Sequence, residues 1–321
     1  MGRPVMTSCV WWGKLCAALP VFVVGVVVVA VTLMPARRVD GQIQYTKGQN
    51  VAPAFEGWEQ NPDGSFNLLF GYFNRNFEER LHIPIGPNNT IDPGGPDQGQ
   101  PTYFLPRRNR HIFRIRVPKD FGDKEVVWTL TSHGKTEKVY GTLKPDYILD
   151  DRVIYRNNTG LDVVAETENN KRPTVRVEGS TRRTVNVGEP LRLTAVADDD
   201  GIPKPAPMPP RALGFRVALG LRVAWFVYRG PGETVSFDPE QFKVYPDYLG
   251  GSPWTPGWAP PPVPADRTFP VVVTFHTPGT FVVRVQAHDG GADATQDVTV
   301  IVNPAVGKVG LFRRGRPSPG A

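Results

Sequence analysis

The sequence predicts a mainly β protein: two sandwich-like β domains following an N-terminal hydrophobic helix. Three observations carry that reading. The 321 residues include 34 Pro and 33 Gly, about a fifth of the chain, which disfavours long helices. Apolar residues recur at every second position in runs of four to ten, the period of a strand. Those runs are separated by clusters of Gly, Pro, Asn and Asp that suit turns.

Taken in order, the first element is the uncharged segment Leu15–Met34, preceded by Arg3 and Lys14. About 20 apolar residues suffice to span a bilayer as a helix, and a charged start followed by an apolar run is also the layout of a secretory signal. Residues 1–36 are therefore expected to be a signal peptide or a membrane anchor, and either one places residues 40–321 outside the cytoplasm, in the periplasm or at the cell surface. Both cysteines, Cys9 and Cys16, fall within this stretch. The exported part thus has no structural disulfide and no thiolate-bound zinc. Residues 37–50 read as a polar linker.

A first β-rich domain is expected over residues 51–168. SFNLLFGYFN, residues 65–74, follows the turn NPDG and reads as a strand. In HIFRIRVP, residues 111–118, Phe113, Ile115 and Val117 point one way and Arg114 and Arg116 the other. KEVVWTLTSHGKTEKVYGTL reads as a hairpin turning at His133 and Gly134, with Val126, Trp128 and Leu130 on its apolar face. Between these strands GPNNTIDPGGPDQGQP, residues 86–101, is too rich in Gly and Pro for regular structure and is expected to be a long surface loop.

A second domain is expected over residues 173–303. TVRVE and TVNV are short strands, and EPLRLTAVAD places Leu191, Leu193, Ala195 and Ala197 on one face. LRVAWFVY does the same for Leu221, Val223, Trp225 and Val227. Two strands joined at Pro278 and Gly279 set Phe281, Val283, Val285 and Ala287 to one side, and TQDVTVIV alternates Val298, Val300 and Val302. Residues 304–321, with Arg313, Arg314 and Arg316, read as a disordered basic tail.

VNVGEPLRLTAVADDDG, the lone Trp225 of the third strand, and PGTFVVRVQAHDGG followed by TQDVTVIV together resemble the PKD-type and related bacterial immunoglobulin-like domains. The resemblance covers about residues 173–303 and implies an immunoglobulin-like sandwich there. Such sandwiches serve as spacers, adhesion modules and binding or assembly domains, so it implies no single function.

Three groups of residues are candidates for function. The second and sixth strands of a seven-strand sandwich run the same way, so the loops after Ala197 and Ala287 emerge at one pole. Asp198, Asp200, Asp289 and Asp293 gather there as candidate calcium ligands, since calcium takes six to eight oxygens. The competing reading is a set of turns, with Gly201, Gly290 and Gly291 supplying positive φ. Apart from calcium no cofactor is expected. Tyr245, Tyr248, Trp254 and Trp258 stand among Gly and Pro and could form an aromatic platform for a glycan or a protein. Alternatively they fold back over an open sheet edge. Arg107, Arg108, Arg110, Arg114 and Arg116 form a basic surface that suits anionic envelope polymers or lipid head groups, or is a solvated strand face.

Catalysis finds little support. None of the five histidines lies in HExxH, there is no GxSxG, and the adjacent pair His288 and Asp289 is expected to point apart in a turn. The expected protein is an exported, non-catalytic binding or scaffolding protein of the cell envelope, with an envelope protein or glycan as partner, a membrane through the N-terminal segment if it is retained, and no nucleic acid. A carbohydrate-binding module and a metal-dependent hydrolase are the alternatives.

Overall fold

A computed structural model describes residues 45–159, 169–208, 218–241 and 257–305. The N-terminal segment Leu15–Met34, the tail from residue 306 onward, and Tyr245, Tyr248 and Trp254 lie outside the described residues. Among those described, no helix is long and apolar enough to cross a membrane.

The first sandwich comprises β1 (Val51–Gln60), β2 (Phe66–Asn74), β3 (Leu81–His82), β4 (Asn89–Asp92), β5 (Tyr103–Phe104), β6 (Arg107–Val117), β7 (Val126–Ser132) and β8 (Lys135–Gly141). One sheet runs β1-β2-β6 and the facing one β4-β7-β8, while β3 and β5 form a small ribbon. Lettered by chain order, these are the A-B-E and C-F-G sheets of an immunoglobulin-like fold. Phe113, Ile115 and Val117 on β6 and Val126, Trp128 and Leu130 on β7 are buried, and the hairpin turns at His133 and Gly134, both at positive φ.

Two features depart from the sequence reading. The Gly/Pro-rich segment of residues 86–101 contains β4, the third strand of the core. Its anchor is Asn89, which has no exposed surface: its amide donates to the carbonyls of Ile83 at 3.0 Å and Pro101 at 2.8 Å, and its Oδ1 accepts from Trp128 Nε1 at 3.0 Å. A polar side chain thus holds a strand that apolar alternation does not reveal. β1 is the other. It carries Pro53 and a bulge between Phe55 and Gly57, so its burial never alternates cleanly.

The second sandwich comprises β9 (Thr174–Val177), β10 (Arg182–Asn186), β11 (Pro190–Asp198), β12 (Arg222–Arg229), β13 (Val235–Asp238), β14 (Thr268–Phe275), β15 (Gly279–His288) and β16 (Asp293–Asn303). Its sheets run β13-β14-β11-β9 and β10-β16-β15-β12. With β9 and β10 as two halves of the first strand, these are the A-B-E-D and A′-G-F-C sheets, and β10 pairs parallel to β16. Leu193, Ala195, Trp225, Val271, Val273, Phe281, Val283, Val285, Val298 and Val300 fill the interior. Trp225 occupies the third strand, as the alternation predicts.

A helix that the sequence did not disclose, α1 (Asp151–Thr159), links the two sandwiches. Asp150 caps it, accepting from Val153 N at 2.8 Å. Its Ile154 and Tyr155 pack with Leu69 from the outer face of β2 and Ala292 from the β15–β16 turn, a small third core between the sandwiches. Both sandwiches accordingly lie within one compact unit.

Candidate functional site

The WFVY run of β12 explains how the two sandwiches meet. Trp225 and Val227 face the interior, while Phe226 and Tyr228, on the opposite face, are also buried. A strand apolar on both faces is covered on both, and the second cover is the segment read as a surface loop. Thr102 N donates to Tyr228 O at 3.1 Å and Tyr228 Oη donates to Gly99 O at 2.5 Å. Arg229 grips Asp97 with both terminal nitrogens, at 3.0 and 2.7 Å, and Gln100 O through Nε at 2.9 Å. Tyr103 of β5 enters the core of the second sandwich. Its ring lies where a Cβ on Gly232 would sit. On β15, Arg284 stacks 3.4 Å over the Tyr228 ring, pairs with Asp297 and donates to Ile112 O at 2.5 Å.

Beside this seam opens a cleft of about 430 Å³, within the ordinary range of small-ligand sites, about 300–1,000 Å³. The first sandwich and α1 supply Arg108, Asn109, Arg110, His111 and Asn158; the second supplies Arg222, Gln286, His288 and Asp293, with Glu240, Gln241 and Trp258 at its rim. His111 is almost fully buried and sits at positive φ. Burial, reinforced by nearby Arg114, Arg110 and Arg108 and opposed by Asp293, lowers its pKa to about 4. His288 is brought down to about 3 by burial and then by Arg222, again against Asp293. Both imidazoles are therefore neutral near pH 7, and His288 Nδ1 accepts from Gly290 N at 2.7 Å.

The five arginines of the basic surface are placed unequally. Arg107 stacks on the Phe77 and Phe73 rings. Arg108 pairs with the largely buried Glu56 at 2.6 Å, above Gly71, where any side chain would displace that carboxylate. Arg114 pairs with Glu59 at 3.2 Å, and Arg116 with Asp63. Arg110 forms no ion pair among the described residues; it donates to Asn157 O and to Asn158 Oδ1. The stripe is thus three ion pairs, one guanidinium stacked on aromatic rings, and Arg110, which enters the cleft beside the paired Arg108.

Asp198, Asp200 and Asp289 all bear on the charge of Asp199. Each is engaged in local structure. Asp198 pairs with Arg267 at 3.1 Å, and Asp200 accepts from Lys171 N at 3.0 Å and Ile202 N at 2.9 Å. Asp289 is fully buried, accepting from Gly291 N, Ala292 N and Asn170 Nδ2. Asp293 belongs to the cleft, where its Oδ2 accepts from Gln286 at 3.0 Å. Among the described residues no group of three or more His, Cys, Asp or Glu side chains is arranged to hold a metal ion. Burial and the neighbouring carboxylates raise Asp199 to about 6.

Of the aromatic platform only Trp258 is described, half-buried at the cleft rim, its carbonyl accepting from Met208 N at 2.8 Å. Sequence reasoning passed over Arg222, Gln286, Asn158, Glu240 and Gln241. Arg222 was detectable: it occupies an outer-face position of a strand whose other outer-face residues, Ala224, Phe226 and Tyr228, are apolar or aromatic.

No family model matches the chain, and no curated protein does. Among solved structures, fibronectin(III)-like modules of CbhA from Clostridium thermocellum align at 12% identity over 85% of this chain and 100% of theirs, with a TM-score of 0.22. The titin domains z1z2 in complex with telethonin align at 12% over 79% and 97%, TM-score 0.22. The surface layer protein SbsC, domains 1-6, aligns at 10% over 80% of this chain and 28% of its own, TM-score 0.23. The immunoglobulin-like assignment rests on the strand pairing described above.

Proposed function

We propose that this chain is an exported, non-catalytic binding or scaffolding protein of the cell envelope that presents the cleft between its sandwiches to a partner protein or glycan. The observation that carries this reading is the seam. Side chains and backbone from both sandwiches lock β12 and β15 against residues 97–112, so the cleft walls are held in fixed relation, and a preformed cleft binds without an ordering cost. The lining has the make-up of a binding site: apolar Leu105, Ile112, Val223 and Phe226 with a few polar and charged groups of both signs. The second sandwich is read as a PKD-type module on the motifs given above. Membrane attachment through residues 15–34 belongs to the same proposal.

Cross-linking mass spectrometry on cells expressing the full chain tests this. Reproducible links from the cleft rim to one or two envelope proteins, or retention on the envelope glycan, is the expected result. A chain recovered free, with neither links nor retention, refutes the reading.

A further inference from the structure

We propose that the cleft binds a carboxylate-bearing saccharide, its uronate group held between Arg110 of the first sandwich and Arg222 of the second; this rests on the cleft being the binding site. Among the described residues neither guanidinium forms an ion pair. Arg110 uses one nitrogen for Asn157 O and Asn158 Oδ1, and Arg222 donates to Ala218 O at 3.0 Å. Both are half-buried. Burial lowers the pKa of each, that of Arg222 to about 10 against the pull of Asp289 and Asp293, and Arg110 is further lowered by Arg108 and partly restored by Glu56. A half-buried guanidinium with no contact ion pair keeps donors free for an anionic ligand. Two planar forks lining one cleft, one from each sandwich, suit a carboxylate, which accepts two parallel N–H bonds from a guanidinium.

The rest of the lining selects the body of the ligand. Asn109 and Gln286 line the cleft with amides whose nitrogens already donate to backbone carbonyls and to Asp293, Gln241 is held by Trp225 N and Pro239 O, and Asp293 and Glu240 present carboxylates, which accept only. Sugar hydroxyls meet both kinds of group, whereas a second anionic group near Asp293 or Glu240 would be repelled. One carboxylate on a hydroxyl-rich ring therefore fits better than a polyphosphate or a densely sulfated chain. Trp258 at the rim offers a flat apolar face to the C–H side of a sugar ring.

The test is calorimetric titration of the full chain at low salt with trigalacturonate and with its fully methyl-esterified counterpart, which keeps the skeleton and removes the charge. Trigalacturonate is expected to bind, the ester to bind about tenfold or more weakly, and Arg110→Gln and Arg222→Gln each to weaken trigalacturonate by a similar factor. Equal affinity for acid and ester, a pair of folded variants that bind like the parent, or no binding of trigalacturonate would each overturn the proposal. The acid-to-ester ratio needs no variant, so a misfolded arginine variant does not rescue it. Ala224→Tyr, which fills the cleft, separates the two levels. If trigalacturonate is not bound but Ala224→Tyr abolishes the envelope cross-links, the saccharide assignment fails and the binding role survives. If Ala224→Tyr leaves those links intact, the cleft is not the partner site.

Discussion

The interiors of the two sandwiches and the seam between them are built from opposite materials. Each interior is apolar and centred on a tryptophan, Trp128 in one and Trp225 in the other. The seam is held by Arg229, Arg284, Tyr228 and Thr102 bonding mostly to backbone carbonyls, with Tyr103 as its one large inserted ring. Apolar burial is non-directional and tolerates small shifts. Hydrogen bonds to carbonyls at 2.5–3.1 Å fix an orientation. The interiors thus make each sandwich stable, and the seam determines how the cleft walls face.

The largest expected effects lie in the interiors. Trp128→Ala and Trp225→Ala should each lose about 3–5 kcal/mol in denaturant unfolding. The phenylalanine variants separate the two cores. Trp128 donates to the buried Asn89 at 3.0 Å, so Trp128→Phe leaves that oxygen without its partner, at about 1–3 kcal/mol. The corresponding bond of Trp225, to Phe269 O, is long at 3.4 Å, and Trp225→Phe should cost less. Equal losses would mean that the Asn89 staple contributes nothing.

Next comes the seam. Gly232→Ala drives a methyl group into the Tyr103 ring, an overpacking of about 1–3 kcal/mol. In scanning calorimetry the parent chain should unfold in one cooperative transition and Gly232→Ala in two. A single transition of unchanged shape in the variant would show that the sandwiches are coupled elsewhere.

These elements also mark how far the sequence could be read. The strands with strict alternation, such as Phe113/Ile115/Val117 and Val298/Val300/Val302, are found where expected because one face meets a core and the other meets solvent or polar groups. β4 escaped notice because its anchor is an asparagine, and β1 because a bulge breaks its period. The seam was invisible for a different reason: its partners are more than 100 residues apart in the chain, as with Tyr228 and Gly99. No local pattern encodes which carbonyl an arginine will reach. For the same reason the five arginines read as one surface, although only Arg110 faces the cleft unpaired.

A pH series probes the cleft walls. A histidine whose pKa falls on folding leaves the unfolded chain with more bound protons between its two pKa values, so stability rises with pH across that window. The window runs from about 4 to 6.5 for His111 and from about 3 to 6.5 for His288. The slope is at most about 1.4 kcal/mol per pH unit for each. Asp199, raised from 3.8 to about 6, opposes this between those values, because there the folded chain holds the extra proton. Stability should therefore rise with pH from about 5 to 6.5 at roughly the slope of a single histidine, because Asp199 offsets about one of the two. His111→Asn, which tolerates the positive φ, and His288→Asn should each flatten the climb. If both variants keep the parent slope in urea unfolding from pH 4 to 7, the two imidazoles are solvated and the wall is not closed.

The smallest effects grade the arginine stripe itself. Arg116 and Asp63 have side chains 61% and 55% exposed, and exposed pairs contribute about 0–1 kcal/mol. Arg108 and Glu56, at 17% and 9%, are mostly withdrawn from solvent. Removing one member there leaves a charge that burial disfavours, and burial already raises the Glu56 pKa. Arg108→Ala should consequently destabilise the chain well beyond Arg116→Ala, and the Arg116 effect should vanish in added salt while the Arg108 effect persists. Matching losses with matching salt dependence would make the stripe a uniform solvated face. That outcome would remove the distinction that sets Arg110 apart as the cation available to a ligand.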